Sequence, residues 1–240
     1  MDISLVASAT TFALANAAVS ITHGLTLQIG DVVIASVSAN GAGTTITDNN
    51  GGTPFTESWY KSHPDASSAW SIQVRICGAN EPSAYAWTLG TAQDWSVVLR
   101  QYRGVYVATG PAGVWDVTPS DSTYDHAISG TTATAPSIRI LTPGAEGFLI
   151  GHNDGGDEFN TPTNSYDTLV QQNNRPAIGW SRRNFLNAGA TGTSAYTHPA
   201  SDDWMIQQCA LKPAGAFWGG MGKRVRVKAA DGMSVADQVS

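Results

Sequence analysis

The feature that most constrains this chain is a repeat within it. The stretch LTLQIGDVVIASVSAN, from Leu25, runs as a short apolar strand, a Gly-Asp turn and a long apolar strand, and SIRILTPGAEGFLIGHN, from Ser137, has the same plan. Ser83-Ala84-Tyr85 returns as Ser194-Ala195-Tyr196, and each is followed by an Asp-Trp pair that opens a strand, Asp94-Trp95 and Asp203-Trp204. A period of roughly 110 residues is too long for a solenoid, so the simplest closed solution packs two related strand sets face to face. The expectation is an all-β, antiparallel β-sandwich, jelly-roll-like, over residues 1–214, with related halves at 25–105 and 137–213. A C-terminal arm follows at 215–240. The middle of the chain holds no long flexible linker that would favour two small separate domains.

Strand signals dominate the rest. Trp70, Ile72, Val74 and Ile76 alternate with Ser71, Gln73, Arg75 and Cys77, the pattern of a strand with two chemically different faces. Val33, Ala35 and Val37 alternate with Ile34, Ser36 and Ser38. Residues 84–105 read as a hairpin, because tryptophan, tyrosine and β-branched residues flank turn formers at Gly90 to Asp94. In its second strand Trp95, Val97 and Leu99 point one way and Ser96 and Arg100 the other, which suits one buried face. Residues 3–7 read as an opening strand, whereas 10–22 shows no clear period. Residues 116–130 read as a loop-rich middle.

Composition narrows the partners. Charged residues make up 13% of the 240, against about 25% in ordinary soluble proteins, and there are 25 glycines. Such neutral, hydroxyl-rich surfaces suit extracellular or particle-bound β proteins. A net charge of -6 and a pI near 5.2 argue against nucleic-acid binding. No apolar run approaches the roughly 20 residues of a membrane span, and no basic leader opens the chain. Cys77 and Cys209 allow one disulfide at most, and read as two separate buried thiols.

Chemistry-bearing patterns are sparse. The histidines His23, His63, His126, His152 and His198 are scattered singly, without a second histidine or cysteine at metal-ligand spacing. The loop from His152 to Glu158 gathers Asp154, Asp157 and Glu158 but lacks the order of a calcium-binding loop, and reads as a solvated turn. There is no G-x-S-x-G elbow, and nothing pairs Glu57, Glu146 or Glu158 across a cleft. Accordingly no catalytic, cofactor or metal residue is assigned and no enzymatic activity is expected. Trp70, Trp87, Trp95, Trp180 and Trp204 sit in apolar strand patterns and read as core. Trp59, Tyr60 and Trp115, near loops, are the surface candidates for stacking on a host glycan. Beyond Pro213, Phe217 and Trp218 precede glycines, and Lys223, Arg224, Arg226 and Lys228 alternate with Val225 and Val227. That is the pattern of a basic strand on a flexible arm, suited to adding to a neighbouring subunit's sheet or to being a charge-blunted edge.

Several short motifs carry a resemblance. Gly30-Asp31-Val32-Val33, Trp59-Tyr60-Lys61, Glu81-Pro82-Ser83-Ala84-Tyr85 leading to Trp87, Tyr102-Arg103-Gly104-Val105 and the closing Ala210-Leu211-Lys212-Pro213 resemble a family of β-sandwich modules in tailed-bacteriophage virion proteins. The resemblance covers residues 25–213. It implies a structural role on a virion, as a capsid decoration or cement protein or a tail component, acting by contact with other virion proteins and as a homo-oligomer. A carbohydrate-binding module is the alternative, and a hydrolase a distant third. The motifs mark turns and core positions and bring no catalytic residues with them.

Overall fold

A computed structural model describes residues 2–41, 43–51, 54–65 and 67–215. The first half of the chain supplies β1 (Ser4–Thr22), β2 (Val32–Asn40), β3 (Ile46–Asp48), β4 (Thr56–Ser62), β5 (Ser68–Ile76) and β6 (Ala84–Arg103). The second supplies β7 (Trp115–Val117), β8 (Tyr124–Ala127), β9 (Thr132–Ala135), β10 (Arg139–Ile140) and β11 (Ala145–Asn153). It continues through β12 (Asp167–Gln172), β13 (Ala177–Phe185), β14 (Gly189–Ala190), β15 (Ser194–Thr197) and β16 (Trp204–Leu211). One sheet has the order β1-β6-β2-β5-β4, with β3 on β6; the other has the order β12-β13-β11-β16-β7, with β8 on β16. The described pairings are antiparallel, and the fold is the expected all-β sandwich.

The repeat is visible in the registers. Ala39 pairs with Trp95 as Asn153 pairs with Trp204, and Ser38 pairs with Trp70 as His152 pairs with Ile178. Thus β2, β5, β6 and β4 correspond to β11, β13, β16 and β12. The halves reach further than the sequence pattern, since β1 belongs to the first and β7 and β8 to the second. β1 lies over β12, and β4 lies against the 3-10 turn that leads into β7. Each sheet therefore faces the other in reversed order, as a pseudo-two-fold axis requires.

Between the sheets lies one apolar core, with Ile34, Trp70, Ile72, Val98 and Tyr102 from one side and Phe148, Ile150, Trp180, Met205 and Leu211 from the other. Two further cores lie outside. Val33, Val37, Trp95, Val97 and Leu99 are covered by Val19, Ile21, Phe55, Tyr85 and Trp87. On the other sheet Leu149, Ile206 and Ala210 are covered by Phe159, Tyr166, Phe185 and Tyr196. The second face of β5, read as polar, is buried too: Gln73 accepts from Trp87 Nε1 at 2.7 Å and Arg75 lies under the Tyr85 ring.

The expected hairpin at 84–105 is instead a single strand. Both of its segments pair with β1, residues 95–103 with 4–13 and residues 84–88 with 18–22. Between them β6 bulges, Asn16 facing Gln93 and Ala18 facing Thr88. The turn formers at Gly90 to Asp94 bend the ribbon, so that Tyr85 and Trp87 fold back over the outer face of their own sheet. The period-free run at 10–22 is the missing partner, rich in β-branched and small residues that suit a pleated edge.

Near the pseudo-two-fold, Ser38 Oγ and His152 Nδ1 lie 2.7 Å apart, and His152 Nε2 lies 2.8 Å from Ser68 Oγ. Burial, with the nearby His63 adding to it, pushes the His152 imidazole down to about 3. The unfolded chain takes up this proton below about pH 6.5 while the fold refuses it, so stability is complete above 6.5 and is lost as pH falls toward 3. The loss should approach about 1.4 kcal/mol per pH unit in that window. Urea unfolding from pH 7 to pH 4 should show a shallower decline for His152→Gln than for the wild type; equal slopes would contradict this account.

Candidate functional site

The family-like motifs meet in space. Asp31, buried in the turn before β2, receives Arg103 Nε at 2.8 Å, Arg103 Nη2 at 2.9 Å and Gln101 Nε2 at 2.6 Å. Burial raises the Asp31 carboxyl, but these donors outweigh it and hold the group below its ordinary range. Gly104, at φ +80°, follows: a Cβ there would lie 2.4 Å from the Asp2 carbonyl oxygen. Tyr106 N–H then donates to Lys212 O at 2.9 Å, and the Lys212 ammonium sits 4.7 Å above the Tyr106 ring. Gly-Asp, Tyr-Arg-Gly-Val and Ala-Leu-Lys-Pro thus close one end of the sandwich.

Glu81 is the hub of another motif. Its carboxylate accepts from Tyr85 OH at 2.9 Å and the Gly78 amide at 2.7 Å, and lies 2.7 Å from Arg75 Nε as an ion pair. The Arg75–Glu81 pair is buried on both sides. It borders an open cleft lined by His23, Leu25, Leu27, Asn80 and Pro82.

The glycan candidates are corrected by the structure. Trp59 is 8% and Trp115 7% exposed. Trp59 packs on Trp70 and Tyr124 and donates its Nε1–H to Asp121 at 3.1 Å. Trp115 donates to Ser58 at 3.1 Å and borders a cleft of about 190 Å³, below the roughly 300 Å³ of small-molecule pockets. Tyr60 is half-buried, its hydroxyl donating to Thr44 O at 2.9 Å. Neither indole has a ring face free for a sugar, because core packing claimed the aromatic surface that loop proximity suggested was open. The arm residues Phe217, Trp218, Lys223, Arg224, Arg226 and Lys228 lie outside the described residues. Cys77 and Cys209 are free thiols in different layers, one in the outer core and one between the sheets.

The acidic loop after β11 does not converge. Asn153 Oδ1 caps it by accepting from the amides of Gly156 and Asp157, Glu158 accepts from Asn173, and Asp154 faces Arg175 at 3.5 Å. A different cluster forms where the β4–β5 loop meets the start of β16. His63, Asp65 and Asp203 offer ligand atoms that all lie within 4.8 Å of one another. His63 Nδ1 contacts Asp65 Oδ1, and the Ser67 amide donates to the same oxygen at 2.9 Å. Burial, a hydrogen bond to Asp65 and its charge push the Asp203 carboxyl up to about 6. Against the upward push of burial, the Ser67 amide, His63 and Asp203 hold Asp65 well below the carboxylate range. Single-histidine spacing hid this group: His63-Pro64-Asp65 is adjacent in sequence, but Asp203 lies in the other half of the repeat.

In comparisons with protein-family models, curated proteins and solved structures, nothing matches this chain.

The buried pair yields a test of the motif's role. Glu81→Gln removes the carboxylate that faces the buried Arg75 guanidinium and should cost roughly 3–5 kcal/mol in chemical denaturation, whereas Arg75→Met with Glu81→Leu should recover much of that loss. A Glu81→Gln protein as stable as the wild type would show that the pair does not hold this corner.

Proposed function

We propose that this chain is a structural component of a bacteriophage virion, in the first place a capsid decoration or cement protein, that assembles with copies of itself through the free edge of β1. The edge is the observation that carries the reading. β1 is 19 residues long, holds no charged residue and no proline, and pairs with β6 on one side only among the described residues. Val6, Phe12 and Leu14 stand exposed along it, Leu14 at 62%. Edge strands are usually kept short or blunted by charge and proline, and a long unblunted edge is a template for an added strand.

The added strand we assign is residues 223–228 of a neighbouring copy. The described chain leaves the fold beside this edge, since Ala214 N–H donates to Gly104 O at 2.7 Å and Arg103 pairs with Ser4. Residues 216–240 hold four of the thirteen basic and two of the nineteen acidic residues, which leaves nine basic and seventeen acidic residues in the rest. The opposite signs favour docking of arm on body. Val225 and Val227 alternate with Arg224, Arg226 and Lys228, so a strand formed by this segment would offer one apolar and one basic face to the apolar edge and to water. A hydroxyl-rich surface of low charge and the motif resemblance support the particle setting, and a tail or tail-fibre position would use the same edge.

Removal of 216–240 should leave a folded domain with the same β-rich circular dichroism, since the truncation ends past the last core strand. The same truncation, and separately Phe12→Lys with Leu14→Lys, should convert an oligomer to a monomer in analytical ultracentrifugation and lower the copy number on purified particles at least tenfold. A monomeric wild-type chain, or unchanged incorporation of either variant, would overturn the reading.

A further inference from the structure

The end of the sandwich opposite Ala214 and Gly104 gathers groups that this assembly does not use. The His63 imidazole is fully buried, and its Nε2 lies 3.1 Å from the Ala127 carbonyl oxygen. A carbonyl only accepts, so Nε2 carries a proton, and Nδ1 is the nitrogen left to serve as a ligand once the proton it shares with Asp65 is displaced. Nδ1 points at Asp65, and Asp203 closes the group from the other half of the chain. One nitrogen and two carboxylates thus come together from both halves of the chain, a donor set that a cation can bridge in place of the proton shared between His63 and Asp65.

Asp154 gives a second, independent sign. It is 8% exposed, its amide donates to Asp203 O at 3.0 Å, and its Oδ1 is buried without a hydrogen-bond donor. Arg175 approaches only the other oxygen, at 3.5 Å, while Asp202 and Asp65 add negative charge around it. More negative charge is collected here than the neighbouring cations offset.

We propose that His63, Asp65 and Asp203 form a divalent transition-metal site, with Zn²⁺ the favoured ion, that staples the two halves of the repeat. The imidazole selects against Ca²⁺ and Mg²⁺, which take oxygen ligands, whereas His with Asp is a normal zinc donor set. Donation of the second ring N–H to a backbone carbonyl is how metal-ligating histidines are oriented. A tetrahedral ion with bonds of about 2.0–2.2 Å sets its ligand atoms about 3.3–3.6 Å apart, so Asp65 must draw back from His63 Nδ1 while the wider separations, up to 4.8 Å, close, and rotation of the loop-borne carboxylates supplies both changes. Asp65 is 24% exposed at its side chain, which leaves a path for the ion and a fourth position for water.

The test uses the full chain after removal of metal by a chelator. Titration with ZnCl₂ should show one equivalent bound by calorimetry, and Zn²⁺ at a hundredfold excess over its Kd should raise Tm by about 5–10 °C. Asp65→Asn and Asp203→Asn, placed on loops, should keep the metal-free Tm within a few degrees and lose the rise, with His63→Gln as a third variant. Co²⁺ in place of Zn²⁺ should give the visible spectrum of a four-coordinate ion that disappears in Asp203→Asn. No stoichiometric binding by the wild type, or an equal rise in both aspartate variants, would overturn the proposal.

Discussion

The structure depends on one constraint: its central strands are apolar enough to need cover on both faces. β2, β5, β11 and β16 are buried at nearly every position, so a two-layer sandwich would leave an apolar face of each sheet in water. The first half meets this by bending its β1–β6 ribbon back over its own sheet. The second half uses separate pieces, β9 and β15, with Phe159 and Tyr196 laid flat against the sheet. Contact there is so close that a Cβ on Gly179 would lie 2.6 Å from Phe159, and one on Gly151 3.0 Å from Tyr196. At the bend of β6, likewise, a Cβ on Gly90 would lie 2.7 Å from Thr45 Oγ1. Glycine in these strands is a demand of layer spacing.

The same constraint explains how a chain poor in charge spends the charges it has. Arg100, fully buried between the sheets, donates to Trp180 O at 2.6 Å and stacks 5.3 Å from the Trp180 ring. Glu146 pairs with Arg182 at 2.8 Å, and Ser96 donates to Pro176 O at 2.5 Å across the sandwich. The repeat did not preserve these positions: by register Arg100 corresponds to Cys209 and Val74 to Arg182. The first half therefore places its buried cation across the interface, and the second pairs its charges between neighbouring strands of one sheet. Buried pairs of this kind add little net stability, but a slipped register would strand a charge, so they penalise wrong docking of two similar sheets.

How much of this could be read from the sequence follows from what period and propensity report. Alternation at 70–77 located β5 and its partner faces correctly, because side-chain direction is a local property. It could not show that the polar face is buried, since Gln73 and Arg75 find their partners, Trp87 and Glu81, through a different strand. Turn formers at Gly90 to Asp94 marked a break in β6 correctly but not its geometry, because bulge and hairpin use the same residues and differ only in where β1 lies. Trp59 and Trp115 sit beside loops in sequence and beneath them in space. The order of the central strands was legible, as it rests on whole elements, and Trp95 and Trp204 do occupy matching registers, whereas β1, β7 and β8 lie outside the repeated pattern.

The point where the described chain leaves the fold and the histidine–aspartate cluster lie at opposite ends of the sandwich. Ala214 leaves beside Gly104 and the start of β1, where Asp31 and Arg103 lock the corner. His63, Asp65 and Asp203 lie at the far end, past Asn153 and Trp204. The nine residues of β11 separate the ends, roughly 30 Å at about 3.3 Å per residue. At that distance exposed charges on one end are screened from the other. Coupling would have to pass through the rigid inter-sheet core, where Ser38, His152 and Ser68 tie the sheets within one strand pair of the histidine–aspartate cluster. An ion at that cluster would therefore act on the grip between the halves, at the level of the sandwich where Phe12 and Ala13 pair with Ser96 and Trp95 on the outer strand.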